Sequence, residues 1–148
     1  MEKALSCIAL VSCVKQKRNQ LSSAKELYTS DWFRKARSYI EQQGVDWYIL
    51  SANYGLLSPT ALIQPYEKTL NKMPVSDRRE WASRVLRQIS ELGCDQTTVF
   101  QIYAGQKYRE YLLPGLRAAG YSFNTPLARL GIGQQLAWFK SHSTDKLP

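Results

Sequence analysis

Apolar residues follow two rhythms along this chain, and the alternation between them outlines the fold. Leu5 to Val14 is a nearly continuous apolar run, the pattern of a central parallel strand covered on both faces. From Ser23 to Gln43 the period becomes helical: Leu27, Trp32, Ala36, Tyr39 and Ile40 return to one side. Ser22 or Ser23 offers a cap at its start and Gly44 a stop at its end. A second strand is predicted over 46–52, centred on Trp47 to Leu50. Strand, helix, strand in this order predicts a right-handed crossover with parallel pairing.

No period is visible from Tyr54 to Val75, where Pro59, Pro65 and Pro74 punctuate the chain. Leu56, Leu57, Leu62, Ile63 and Tyr66 predict an ordered loop packed over the sheet rather than a free one. Ser76 then caps a predicted helix to Leu92, with Trp81, Val85, Ile89 and Leu92 as the buried stripe. Arg78, Arg79, Arg84 and Arg87 fall largely outside that stripe. Thr97 to Tyr103 reads as a third strand. A helix follows over 106–119, interrupted or kinked at Pro114, and Ser122 to Leu127 suggests a fourth strand. A last helix opens at Gly131-Ile132-Gly133-Gln134-Gln135 and reaches Ser141. The expected fold is therefore α/β, a Rossmann-like three-layer sandwich with four or five mostly parallel strands.

In such sheets ligands bind outside the carboxyl ends of the strands. Four segments are predicted to share that edge: residues 12–18, 51–55, 104–108 and 129–134. The first holds Lys15, Lys17 and Arg18 ahead of a helix start, where basic side chains reinforce an anion site. It has no glycine and lacks the P-loop spacing, so a phosphate-cradling P-loop is not expected.

At 148 residues the chain is read as one domain, with 141–148 a flexible tail. No apolar stretch approaches the ~20 residues of a membrane span, and the start resembles no signal peptide. A cytoplasmic protein with no membrane partner is expected. Three cysteines without paired spacing argue against a disulfide framework, and no Cys-x-x-Cys or His/Cys cluster suggests a metal. No cofactor motif is visible, so none is expected, and the oligomeric state is left open. The single histidine, His142, lies in the polar tail, which turns the search for catalysts away from Ser-His-Asp and Cys-His machinery. A net charge of +8 points towards polyanionic partners.

Among the remaining groups, Glu67 in the long loop is the first candidate for acid–base or nucleophilic work, ahead of Glu26. Cys13, beside Lys15 and Lys17, is a candidate thiolate, and Ser51, at a strand end, is the third catalytic candidate. Ser12, Lys15 and Lys17 are candidates for phosphate or base contacts. Tyr54, Tyr66 and Tyr108 offer hydroxyls and flat faces, although core packing is the default for any one of nine tyrosines. Gly55, Gly105, Gly131 and Gly133 would let a ligand approach backbone N–H groups, a job indistinguishable in sequence from ordinary turns and caps.

Six segments in order carry a resemblance. They are Ser12-Cys13-x-Lys15-x-Lys17, Ala24-x-Glu26-Leu27-Tyr28, Trp47 to Leu56, and Pro65-Tyr66-Glu67-x-Thr69-Leu70. Tyr103-Ala104-Gly105-x-x-Tyr108 and Pro126-Leu127-x-x-Leu130-Gly131-Ile132-Gly133 complete the set. Together they resemble an uncharacterised bacterial and phage domain family. That family is distantly similar to the YaaA peroxide-stress proteins and to the core domain of archaeosine synthase. The resemblance implies a nucleic-acid or modified-base context and supplies no reaction. The Ser12-Cys13 order departs from the synthase's Pro-Cys-Ser strand end, so its lysine-transfer chemistry is not carried over.

Two readings follow from the sequence. One is an enzyme processing a nucleobase or nucleotide at the carboxyl edge, with an N-glycosidic bond as the first reaction class to test. The other is a non-catalytic nucleic-acid-binding module resting on the net charge and the arginine-rich helix 76–92.

Overall fold

The computed structural model describes residues 7–12, 19–66 and 68–143. In chain order the strands are β1 (Cys7–Ser12), β2 (Ser22–Ser23), β3 (Asp46–Ser51), β4 (Gly55–Leu57), β5 (Leu62–Ile63), β6 (Val99–Tyr103) and β7 (Ser122–Asn124). The helices are α1 (Ala24–Leu27), α2 (Asp31–Gln43), α3 (Val75–Ser90), α4 (Gln106–Arg109), α5 (Leu112–Ala118) and α6 (Ile132–His142). Five strands form the main sheet in the order β4-β3-β1-β6-β7, and β2 pairs with β5 in a small separate ribbon. The α/β sandwich is as the sequence predicts, with α2 beside α6 and α3 beside α5.

The central strands β3, β1, β6 and β7 run parallel. Their inner residues Leu10, Val11, Ile49, Leu50, Phe100 and Ile102 are buried, each worth about 1.5–3 kcal/mol relative to exposure. Register fixes the carboxyl edge. Ser12 lies opposite Leu50, one residue short of Ser51, and Val11 lies opposite Tyr103. The ends of β1, β3 and β6 are therefore level.

Four local expectations are corrected. The helix predicted over 23–43 is two helices. Ser30, not Ser22 or Ser23, provides the side-chain cap, accepting from the Phe33 N–H at 3.1 Å, and Thr29-Ser30-Asp31 competes with a continuous helix there. The 54–75 segment contains β4, which runs antiparallel to β3 through the pairing of Ser51 with Gly55. The helix predicted over 106–119 restarts at Leu112. This places Pro114 in the first turn of α5, where its missing N–H would have no intrahelical partner anyway. Finally, α3 begins at Val75 without a side-chain cap from Ser76. Arg78 belongs to its buried face, whereas Leu92 lies beyond its end and is exposed.

One face of the sheet is sealed by rings. Tyr103 of β6 packs against Tyr39, Trp138 and Phe139, with centroids 6.1, 6.4 and 6.2 Å away. Burial pushes the Tyr103 phenol well above its ordinary value, and Tyr39 beside it adds to the rise. His142 ends α6 with its ring stacked on Trp138 at 4.0 Å, so this histidine is exposed yet held.

Candidate functional site at the carboxyl edge

The site grows from the end of β3. Ser51 is completely buried, and its Oγ accepts the N–H groups of Asn53 and Tyr54 at 3.2 and 3.0 Å. A hydroxyl oxygen has two acceptor positions and one proton. With both acceptor positions taken, the Ser51 hydroxyl donates to the Tyr66 oxygen, 2.9 Å away. Tyr66 in turn meets the Tyr28 hydroxyl at 2.5 Å. Three hydroxyls from three separate parts of the chain thus form one hydrogen-bonded series. The Tyr54 ring stands edge-on to Tyr66 at 5.6 Å, and Tyr28 does so at 6.5 Å.

Helix α3 holds the turn that carries this series. Trp81 Nε1 donates to the Ser51 carbonyl at 2.8 Å, and Arg84 donates to the Asn53 carbonyl at 3.1 Å. Gln88 donates to the Tyr54 carbonyl at 3.2 Å and accepts the Leu56 N–H at 2.8 Å. Trp81, Arg84 and Gln88 are spaced so that one side of the helix reads successive backbone groups of the turn. Gly55 has φ +74°, and a Cβ there would collide with the Gln88 side chain. This glycine therefore serves the turn itself.

The other candidates fall into distinct places. Ser12 is buried at the end of β1, opposite Leu50 and one register position short of Ser51. Tyr108 is 7% exposed and its ring packs edge-on against Trp81 at 5.5 Å, which leaves Tyr54 as the more accessible ring beside Tyr66. Gly105 caps α4, its carbonyl accepting the N–H groups of Tyr108 and Arg109. The space where its Cβ would stand is open. Gly131 caps α6, Gly133 lies in that helix's exposed first turn, and Gln135 fixes the turn to α2 by accepting from Trp32 Nε1 at 2.8 Å. Glu26 pairs with Arg37 at 3.1 Å. Cys13, Lys15, Lys17 and Glu67 lie outside the described residues.

Sequence reasoning missed Tyr28 as a site residue, along with the α3 side chains that hold the turn. Tyr28 was visible in the Ala24-x-Glu26-Leu27-Tyr28 segment, but no sequence pattern pointed to a partner or a role for it. Among the described residues no group of three or more His, Cys, Asp or Glu side chains gathers as metal ligands. No described helix is long and apolar enough to cross a membrane. At the opposite, amino-terminal edge lies a cleft of about 270 Å³, lined in part by Ile8, Asp46, Tyr48, Cys94 and Asp95.

A model of a protein family of unknown function matches residues 8–141. The chain belongs to the DUF6884 family. No curated protein and no solved structure matches it, the YaaA and archaeosine synthase proteins of the sequence resemblance included. The match runs from β1 into α6, so the Ser51–Tyr66–Tyr28 series and the α3 side chains that hold it all lie within the DUF6884 segment.

Proposed function

We propose that this DUF6884 protein is a small enzyme that binds a nucleobase or nucleotide at the carboxyl edge and moves a proton through Ser51, Tyr66 and Tyr28. The observation that carries the reading is the hydroxyl series itself, three hydrogen-bonded side chains where open α/β sheets hold their ligands. Hydroxyls in series polarise one another, which suits them to stabilise the phenolate formed when Tyr66 gives up its proton. Tyr54 would lie along the ring of a base. Lys15 and Lys17, assigned from sequence alone, would hold phosphate.

N-glycosidic cleavage is the reaction class this arrangement favours. Water, or first the Glu67 carboxylate, would bond to the anomeric carbon as the carbon–nitrogen bond breaks. The departing base nitrogen would take the Tyr66 proton, the Ser51 and Tyr28 hydroxyls would steady the phenolate left behind, and the proton released when water adds would return to that phenolate. The nucleic-acid context implied by the resemblance to YaaA and archaeosine synthase supports the choice of substrate.

Chromatographic detection of base release from nucleosides and nucleotides tests this reading. Tyr66→Phe and Glu67→Gln are each expected to lower turnover by about 10²–10⁴-fold, the usual share of a general acid or base. Full turnover in Tyr66→Phe would exclude the proton path.

A further inference from the structure

A separate feature of α3 faces away from this turn. Arg79, Ser83 and Arg87 follow at intervals of four, which aligns them along one side of the helix, and all three are exposed. Arg78, on the buried side, is neutralised by Glu110 at 3.3 Å and donates to the Met73 carbonyl at 2.8 Å. Among the described residues Arg79 and Arg87 close no ion pair. The Arg79 guanidinium lies over the Tyr111 ring, 5.0 Å from its centroid. Leu86 occupies the space that a Cβ of Gly115 would need, which seats α5 directly against α3. On the far side of α5 a second arginine, Arg117, lies over Phe123 of β7 at 5.1 Å.

We propose that this α3–α5 face binds single-stranded nucleic acid. Positively charged tracks interleaved with aromatic rings suit such strands: phosphates pair with exposed guanidiniums, and a base stacks on the Arg79 plane where it lies over Tyr111. Arg79 and Arg87 are eight residues apart, about 12 Å along the helix, which spans roughly three to four phosphates of a stacked strand. Arginine over a ring also pre-orders the side chain, so little freedom is lost when a base or phosphate arrives. A net charge of +8 supplies the long-range attraction. The inference does not depend on the hydroxyl series.

Fluorescence anisotropy on the full chain tests it, using labelled 20-nucleotide oligo-dT and oligo-U at 50 and 200 mM salt. Both strands are expected to bind, more weakly at the higher salt. Arg79→Gln/Arg87→Gln should weaken binding at least tenfold and make the log–log salt slope shallower by about 1.4, two phosphates' worth for a single strand. Tyr111→Leu should weaken it by roughly 5–100-fold. Arg34→Gln/Lys140→Gln, which removes the same charge from α2 and α6, should change affinity less than twofold. Melting curves confirm that each variant is folded.

No binding by the wild type at 50 mM salt would overturn the proposal. So would an equal loss in the Arg34/Lys140 variant, or tighter binding to duplex DNA than to either strand. Base release from free nucleosides, if present, should be unchanged in Arg79→Gln/Arg87→Gln, so the two proposals fail independently.

Discussion

Tyr28 and Tyr66, thirty-eight residues apart in sequence, bring their phenol oxygens to 2.5 Å of one another, and Ser51 donates into the same pair. The contact ties the short helix α1 to the segment between β5 and α3, above the end of β3. A hydroxyl series of this kind is energetically useful when each member has its partners and costly when one is removed.

Ser51 and Tyr28 should therefore be coupled through Tyr66. In a double-mutant cycle, Ser51→Ala and Tyr28→Phe are expected to show a non-additive term of about 0.5–1.5 kcal/mol, despite acting through an intermediate. Urea denaturation of the four proteins measures it. Additivity within about 0.3 kcal/mol would mean that the hydroxyls act separately.

Gly55→Ala should destabilise the fold by about 2–4 kcal/mol. Its φ of +74° disfavours any side chain, and the new methyl must displace Gln88, which holds both Tyr54 and Leu56. Chemical denaturation gives the number. A loss below about 0.5 kcal/mol would show that the turn relaxes freely.

Trp81→Phe keeps most of the buried ring but removes the donor to the Ser51 carbonyl. Leaving that buried carbonyl unmatched should cost about 1–3 kcal/mol. Ligand binding at the Ser51 turn should weaken at the same time, because the turn loses one of its three α3 supports. Unchanged stability and binding would assign Trp81 to packing alone.

Tyr103 predicts a pH dependence. Its folded-state value is raised by burial, so the folded protein keeps this proton to higher pH than the unfolded chain does. The stability it supports is complete below the unfolded tyrosine value near 10 and declines as pH rises above it, by at most about 1.4 kcal/mol per pH unit. Tyr103→Phe should flatten the decline between about pH 10 and 11.5 in denaturation midpoints. An unchanged profile would place the alkaline sensitivity elsewhere, Tyr121 being another phenol with a raised value.

The parallel core was legible because Leu5 to Val14 and Trp47 to Leu50 are long apolar runs that only a covered strand explains. The ends of β1, β3 and β6 then followed from chain order. β4 was not legible: Gly55-Leu56-Leu57 is too short to establish a period, and Gln88, thirty-two residues from Leu56, satisfies its backbone. Arg78 was misread for a different reason: the local period set it off the apolar stripe, while Glu110 and the Met73 carbonyl hold it buried. Tyr28 had no reading of its own, because its partner Tyr66 lies thirty-eight residues away. Ser51 could be named from sequence because a serine ending a strand in a turn is conspicuous. Its hydrogen-bond partner Tyr66 stood out as a loop aromatic, but nothing in the spacing said that the two would meet.

The most direct test of the carboxyl-edge site is a thermal-shift comparison of wild type and Tyr66→Phe against nucleobases, nucleosides and mononucleotides at low and high salt. One such compound is expected to raise the wild-type melting temperature at both salt concentrations, and Tyr66→Phe to lose most of the rise. Equal shifts in the two proteins, or none from any small ligand, would contradict it.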